Sequence, residues 1–460
     1  MCRCANLFGP PERGTQRRAE DLTLAPVILP GEPAEWSQGA RERSTGEKTN
    51  SYAGDMSFPT RPLPRLIALS ALTTALFIGA CVWLSSALLL AVAATPGGRL
   101  TALAFVLAVP AVCAVPFALS ARRREPALAG LGVLLALGGL SLGWAAHIAP
   151  QASDDPQAAL RSVYLGDGGH RRTGLANLVP EVDQFTLGSY LMGHIDLYLD
   201  PEQTLRIRGL FQQIYGELAR DPDFAVMGSA MGHSYRELFG RSWDVGHIYV
   251  YEPPHDDDTP LPVLVYLHGW GGPFLGYQWV LKRFADEHDY AVVSPSYGMG
   301  WWRQDSAMDT VARALDWIDQ QPGLDGERMV LSGLSNGGPG ASRAAMAFPD
   351  RWQGVVFLSA VMDEDHIFGL GESLAAHDTP VLVITGDAER RIPIAYTEAS
   401  AQSLGMVHDR VQLEVFEGED HFLLFSQPEA VMALLGRWVQ GEAAPSGTAS
   451  RTSPPPDPGS

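Results

Sequence analysis

The hydrophobic residues of this 460-residue chain follow two different patterns. In the first third, three stretches (residues 66–94, 100–119 and 127–148) are almost continuously apolar and contain no Asp, Glu, Lys or Arg. About 20 helical residues are enough to cross the hydrocarbon core of a bilayer. The pattern therefore predicts a membrane domain of three transmembrane helices over residues 61–150, preceded by a disordered tail over residues 1–60.

Basic residues around these stretches predict an orientation. Arg61 and Arg65 precede the first stretch, and the arginines at 122–124 separate the second from the third, whereas only Arg99 lies between the first and second. Loops rich in Lys and Arg tend to stay in the cytoplasm. We therefore expect a multi-pass protein of the cytoplasmic membrane, with the lipid bilayer as a partner and the region after residue 150 on the extracytoplasmic side.

After residue 242 the pattern changes to short apolar runs that alternate with amphipathic segments. Such alternation predicts a doubly wound, mostly parallel α/β sheet over residues 243–440. Residues 151–242 are interpreted as an accessory segment of helix and loop, and residues 441–460 as a disordered tail. The space between residues 361 and 379 is too short for a large lid, so we expect an open site. The predicted strands are 261–267, 290–294, 329–331, 354–361, 379–385 and 411–416, and the predicted helices are 202–220, 279–288, 309–320, 339–346 and 429–439.

A serine flanked by glycines stands between a predicted strand and a predicted helix. The sequence Gly333-Leu334-Ser335-Asn336-Gly337 is typical of a sharp turn that holds a nucleophilic hydroxyl clear of the backbone. The tight packing of strand against helix leaves no room for side chains at the two Gly positions. Because a chain with 48 glycines can produce this pattern by chance, the interpretation depends on its neighbours.

Those neighbours include an acid and a base in the order that a serine hydrolase needs. Asp387 follows the predicted strand 379–385, and His421 lies in a polar loop after the strand 411–416. We predict that Ser335 attacks an acyl carbon, that His421 accepts its proton, and that Asp387 orients the imidazole. His268 is a rival base, but it precedes the serine and so stands in the wrong chain order.

The strand 261–267 ends in His268-Gly269-Trp270-Gly271-Gly272, a loop in which the main chain can approach a ligand closely. Acyl transfer needs two N–H donors directed at the developing oxyanion. We assign them to the backbones of Trp270 and Asn336. Three aromatic residues, Tyr297, Trp301 and Trp302, are candidates for the substrate pocket, although packing in the core explains them equally well.

Together these motifs resemble an α/β-hydrolase over residues 243–440, in particular the branch of feruloyl esterase-like, polyhydroxyalkanoate depolymerase-like and dienelactone hydrolase-like enzymes. The resemblance implies a serine esterase without a cofactor or metal, acting on a small-molecule or polymeric ester. Prolyl oligopeptidase-type peptidases share this core, so a peptidase remains an alternative. A transacylase with the same acyl-enzyme intermediate and a non-catalytic membrane-bound binding module also remain open.

Composition excludes some classes of binding partner. The formal net charge is −19, and because the acidic excess lies after residue 150, nucleic acid is not an expected partner. All four cysteines precede residue 150, so the hydrolase-like region contains no disulfide. Acidic clusters at 256–258 and 363–366 lack the spacing typical of a metal site, and we predict none. Translation can start at Met1 or Met56, and nothing in the sequence predicts the oligomeric state.

Overall fold

The computed structural model describes residues 63–150, 158–165, 174–193, 196, 198–229, 231–238, 246–255, 259–441 and 449–452. The predicted amino-terminal tail, the acidic cluster at 256–258 and most of the predicted carboxyl-terminal tail lie outside these residues. The described residues belong to a single compact unit, 63–460.

Three long helices open the described part of the chain: α1 (Leu63–Val92), α2 (Pro96–Ser120) and α3 (Arg124–Ile148). Each is long and apolar enough to cross a membrane, as predicted. Thr95 caps α2 by accepting a hydrogen bond from the N–H of Gly98. The helix continues through Pro110 and Pro116, which membrane helices tolerate where neighbouring groups satisfy the freed carbonyls.

The described residues of the accessory segment form one strand and five helices. The predicted helix over 202–220 is present as α6, which begins at Asp200 with a reciprocal capping box to Gln203. The segment is not only helix and loop as predicted, because β1 joins the main sheet. Arg161, which pairs with Glu252, interrupts the apolar signal of this short edge strand. The elements are β1 (Leu160–Tyr164), α4 (Leu175–Leu178), α5 (Glu181–Met192), α6 (Pro201–Leu218), α7 (Pro222–Val226) and α8 (Met231–Leu238).

A nine-stranded sheet in the order β1-β2-β4-β3-β5-β6-β7-β8-β9 forms the centre of the molecule. Strands β3 to β9 run parallel to one another. Strand β2 pairs antiparallel with both of its neighbours, β1 and β4. The predicted mostly parallel α/β sheet is therefore confirmed. The strands are β2 (His247–Tyr251), β3 (Leu261–Leu267), β4 (Ala291–Pro295), β5 (Leu324–Leu334), β6 (Trp352–Leu358), β7 (Val381–Gly386), β8 (Val411–Phe416) and β9 (Ala449–Thr452). Because β9 pairs with β8, residues 449–452 are a strand rather than part of a disordered tail.

Helices cover both faces of this sheet. Successive residues of the central strands point to opposite faces, and both faces are buried: Val263 and Val265 face one apolar layer, Leu264 and Tyr266 the other. The carboxyl ends of β5, β7 and β8 therefore meet at one edge. The helices are α9 (Leu275–His288), α10 (Ser306–Ile318), α11 (Gly337–Ala347), α12 (Ile367–Ala376), α13 (Ile394–Gly405), α14 (Leu423–Ser426) and α15 (Pro428–Val439), with single 3-10 turns at Pro349–Arg351 and Glu364–His366.

Candidate active site

Ser335 occupies the turn between β5 and α11 in a left-handed conformation, with φ of 52°. A non-glycine residue rarely adopts this conformation, and such strain is concentrated at functional sites. Crowding explains the flanking glycines. A Cβ on Gly333 would lie 2.5 Å from the carbonyl oxygen of Gly337, and a Cβ on Gly337 would lie 2.1 Å from that of Leu267. The two glycines are therefore a steric requirement of the turn, as predicted.

His421 lies in the loop after β8 and contacts Ser335 directly. Its Nε2 is 3.0 Å from the Oγ of Ser335, and its Nδ1 is 2.6 Å from the Oε2 of Glu389. A carboxylate at Nδ1 favours the tautomer in which Nδ1 carries the proton and Nε2 is free to accept one. The three side chains thus form a continuous hydrogen-bonded series from hydroxyl to carboxylate.

The acid of this series is Glu389, so the prediction of Asp387 is corrected. Asp387 is exposed and accepts a hydrogen bond from the N–H of Gly418, at 2.7 Å. Its carboxylate therefore joins the loops after β7 and β8 instead of reaching the imidazole. Glu389 comes two residues later, and its side chain is completely buried beside His421.

The surroundings of Glu389 favour its ionised form. Burial raises the pKa of this carboxyl, but the hydrogen bond and charge of His421, together with the N–H groups of Arg391 and Ile392, outweigh burial and leave the pKa below its usual value. Those two backbone groups donate to Oε1, at 2.6 and 3.2 Å. Oε2 is thereby left to His421, and the carboxylate has a fixed orientation.

The glycine-rich loop after β3 packs directly against the nucleophile. A Cβ on Gly269 would lie 3.2 Å from the Cβ of Ser335. Gly271 and Gly272 have φ of 105° and 111°, a region that other residues rarely adopt. Within the described part of the chain, the N–H groups of Trp270 and Asn336 donate to no protein acceptor. Both are therefore available as donors, as the predicted oxyanion hole requires.

His268 has a structural position. It is completely buried, with Nδ1 2.8 Å from the carbonyl oxygen of Gly269, and its Nε2 accepts a hydrogen bond from the N–H of Tyr297 at 3.1 Å. Burial lowers the pKa of His268 to about 4, so the ring is neutral near pH 7. Its main-chain carbonyl accepts a hydrogen bond from the Nε1 of Trp302, at 2.9 Å. These bonds fix the start of the glycine-rich loop.

The predicted pocket aromatics separate into two groups. Tyr297 and Trp302 are 9% and 1% exposed and belong to the core, and the hydroxyl of Tyr297 bonds to Gln304. Their assignment to a substrate pocket is corrected, because these side chains are buried beneath the glycine-rich loop that follows β3. Trp301 is 41% exposed and Trp270 53%, so both can reach a bound molecule. Trp301 stays a candidate pocket residue.

Helix α6 and the connection between α5 and α6 contact the loops that carry His421 and Glu389. The expectation of an open site did not include these contacts. Arg206 of α6 pairs with Glu419, at 2.8 Å, and with Asp420, at 3.3 Å, immediately before the histidine. Arg391 pairs in the same way with Asp196, at 2.5 Å. No sequence signal links residues this far apart, so these contacts were not predictable.

A second accessory contact supports the glycine-rich loop. Glu181, the first residue of α5, accepts hydrogen bonds from the N–H of Leu275, at 2.8 Å, and from the hydroxyls of Tyr215 and Ser229, at 2.6 and 2.5 Å. Leu275 begins α9, directly after the loop. Burial raises the pKa of Glu181, although all three hydrogen bonds oppose the rise. The first turn of α9 is thereby fixed to the accessory segment.

We find no candidate metal centre: no group of three His, Cys, Asp or Glu side chains in the described residues is placed to hold a metal ion. Asp363, from one of the acidic clusters, instead lies close to Arg303, Arg343 and His366.

Known proteins resemble the second part of the chain. Residues 303–435 match the family model of phospholipases and carboxylesterases. No curated protein matches the sequence significantly. Among solved structures, fluorophosphonate-binding serine hydrolase F of Staphylococcus aureus with bound substrate is 19% identical, with a TM-score of 0.37, over 42% of this chain and 92% of that one. A hyperthermophilic esterase from Pyrobaculum calidifontis is 19% identical, with a TM-score of 0.35, over 44% of this chain and 82% of that one.

The structural resemblances concern less than half of this chain and identify no substrate. The family match covers β5 to β8 together with the segments that carry Ser335, Glu389 and His421. Together with the mostly parallel α/β sheet, this match supports a hydrolase whose residues 303–435 are similar to phospholipases and carboxylesterases.

Proposed function

We propose that the protein is a membrane-anchored esterase that cleaves a carboxylic ester through an acyl-enzyme intermediate, with Ser335, His421 and Glu389 as its triad. The observation that carries this proposal is the hydrogen-bonded series from the serine hydroxyl, through both ring nitrogens, to a buried carboxylate. A serine that served only to form a turn would need neither the base nor the acid behind it.

In the first half-reaction the Oγ of Ser335 forms a bond to the acyl carbon while the Nε2 of His421 accepts its proton. The electron pair of the carbonyl moves to oxygen, and the N–H groups of Trp270 and Asn336 stabilise the resulting oxyanion. The intermediate collapses as the bond to the alcohol oxygen breaks. His421 returns the proton to that oxygen, and the alcohol leaves behind an acylated serine.

In the second half-reaction, water hydrolyses the acyl-enzyme. His421 accepts a proton from water as the water oxygen bonds to the acyl carbon, and a second oxyanion forms. Collapse breaks the bond to the Oγ of Ser335, which recovers its proton from the imidazolium, and the carboxylic acid leaves. Glu389 stays ionised and stabilises the imidazolium at each step, in agreement with its lowered pKa.

The anchor in this proposal is the bundle of α1, α2 and α3. Asp183 of α5 accepts hydrogen bonds from the N–H groups of Ala94 and Thr95, at 2.6 and 3.3 Å, in the connection between α1 and α2. That connection therefore lies at the hydrolase end of the bundle, whereas the arginines at 122–124 lie in the connection between α2 and α3. The positive-inside tendency then supports an extracytoplasmic hydrolase domain.

Hydrolysis by the full chain in detergent micelles tests the proposal. We expect short p-nitrophenyl esters to be cleaved, and the Ser335→Ala variant to lose about 10³-fold or more in kcat. Ser403, a half-buried serine of α13 whose hydroxyl donates to the carbonyl oxygen of Ala399, provides the matched control as Ser403→Ala, with unchanged activity expected. A Ser335→Ala variant that kept full activity would refute the proposal.

The alternatives predict other outcomes in the same assay. Cleavage of peptide anilides but not of esters, lost with Ser335→Ala, would identify a prolyl oligopeptidase-like peptidase. Transfer of the acyl group to an added alcohol in preference to water would identify a transacylase. Folded protein that cleaves neither substrate class would favour the non-catalytic binding module.

A further inference from the structure

A cavity of about 650 Å³ lies where the membrane helices meet the accessory segment. Its wall includes residues 91–95 and Arg99 around the connection of α1 and α2, and Pro150 directly after α3. The rest of the wall comes from α4 to α7, the connections beside them, and Leu275 at the start of α9. None of the triad residues lines it, so it is separate from the candidate active site. Its volume is within the range of ligand sites, about 300–1,000 Å³.

The wall suits a hydrocarbon chain better than a polar molecule. It consists largely of small or apolar side chains, including Ala91, Val92 and Leu218. The buried carboxylate in the wall, that of Glu181, already accepts three hydrogen bonds from protein groups. This carboxylate has little remaining capacity to accept hydrogen bonds from a polar ligand, because protein groups already donate to it.

One cation stands at the rim of this cavity. Arg99 is exposed, and its Nε donates to the carbonyl oxygen of Ala93, at 2.9 Å. This bond fixes the guanidinium beside the cavity while leaving its terminal nitrogens for another acceptor. Asp183 lies close enough for the charge of Arg99 to lower the pKa of its carboxyl, although burial raises that pKa more. A guanidinium in this place fits a phosphate group.

We propose that this cavity binds an acyl chain of an anionic membrane phospholipid, with the lipid phosphate at Arg99. The position supports a lipid from the bilayer, because the wall includes the end of the first candidate span, Arg99 near the start of the second, and Pro150 just after the third. The inference concerns a binding site and does not depend on the esterase reaction.

Two glycines of α6 provide a matched pair of variants. Gly216 lines the cavity and Gly209 does not, and a Cβ on either would meet nothing within 4 Å. Both glycines are exposed positions in the same helix. A Trp at Gly216 therefore fills the cavity, whereas a Trp at Gly209 changes helix propensity and surface to the same extent without doing so.

The test uses the full chain in lipid nanodiscs that contain a phosphatidylglycerol with a photoactivatable diazirine in its acyl chain. After irradiation, mass spectrometry maps the adducts. We expect adducts on residues 212–229, reduced at least about fivefold in Gly216→Trp and unchanged in Gly209→Trp. Ala225→Trp, at a second exposed wall position, provides an independent block should Gly216→Trp fail to fold.

The headgroup is tested in the same experiment. We expect Arg99→Gln to remove the preference for phosphatidylglycerol over a phosphatidylcholine probe of the same chain. Adducts confined to the outer surfaces of the three membrane helices, or equal labelling of Gly216→Trp and Gly209→Trp, would overturn the proposal. Stronger labelling by a diazirine fatty acid at equal mole fraction would overturn the assignment to a phospholipid.

Discussion

Replacement of Glu389 by Gln tests the role of the buried carboxylate. In the wild-type protein the N–H groups of Arg391 and Ile392 donate to Oε1, and the Oε2 faces the Nδ1 of His421. The amide oxygen of Gln must occupy the Oε1 position to accept from those two donors. Its NH₂ group then faces Nδ1, which is forced to accept a hydrogen bond.

The consequence is the wrong tautomer of the imidazole. With its proton on Nε2, His421 cannot accept the proton of Ser335, and the negative charge that stabilises the imidazolium is also lost. Loss of the corresponding carboxylate in a known serine protease reduces kcat about 10⁴-fold. We expect Glu389→Gln to reduce kcat about 10³- to 10⁴-fold, equivalent to about 4–5.5 kcal/mol in the activation barrier.

Asp387→Asn is the matched control, since it changes a carboxylate two residues earlier that is exposed and bonded only to the N–H of Gly418. We expect its kcat to change less than about twofold, because exposed substitutions away from special features cost little. Initial rates on a p-nitrophenyl ester, with melting temperatures as the folding control, measure both variants. A larger loss in Asp387→Asn than in Glu389→Gln would refute the assignment.

Further predictions concern stability, geometry and orientation. The lowered pKa of Glu389 means that its contribution to stability is complete above its usual value near 4.5 and is lost as pH falls through the folded-state pKa; the deficit in melting temperature of Glu389→Gln should therefore stay constant from pH 7 down to that value and shrink only below it. Gly333→Ala should lower the melting temperature sharply because its Cβ meets backbone at 2.5 Å, whereas Gly209→Ala, with open space around it, should stabilise α6 by up to about 1 kcal/mol. Arg206→Ala should reduce kcat less than about tenfold and leave KM unchanged, because the pair with Glu419 is partly exposed and only positions the histidine loop. With the native cysteines replaced, an impermeant maleimide added to intact cells should label Ser403→Cys and leave Arg123→Cys unlabelled; the reverse pattern would contradict the proposed orientation.

Much of the fold was predictable because buried parallel strands leave a strong signal. The bounds of β3 and β8 agree with the predicted runs 261–267 and 411–416. Strand β3 is apolar throughout, and β8 alternates apolar residues with Gln412 and Glu414. The edge strands β1 and β9 were missed. Both strands are short and lack a continuous apolar run, since β1 reads Leu-Arg-Ser-Val-Tyr and β9 reads Ala-Ser-Arg-Thr.

A site residue was predictable where the geometry requires one residue type. It was not predictable where two residues of the same type lie close together in the sequence. Glycines around Ser335 are demanded by close packing, and His421 followed from chain order. Asp387 and Glu389 both follow β7, and only the folded loops decide which carboxylate turns inward. The positions of Tyr297 and Trp302 were not predictable for a similar reason. An aromatic residue next to a site in sequence can pack in the core beneath the loop as readily as it can face the substrate.

The most direct test of the proposed mechanism is whether Ser335 is activated. Full-chain protein in detergent is treated with a fluorophosphonate probe, and the modified residue is identified by mass spectrometry. We predict a single adduct on Ser335, absent from Ser335→Ala and strongly slowed in Glu389→Gln. Well-folded protein that forms no adduct, or an adduct that persists in Ser335→Ala, would contradict the proposed triad.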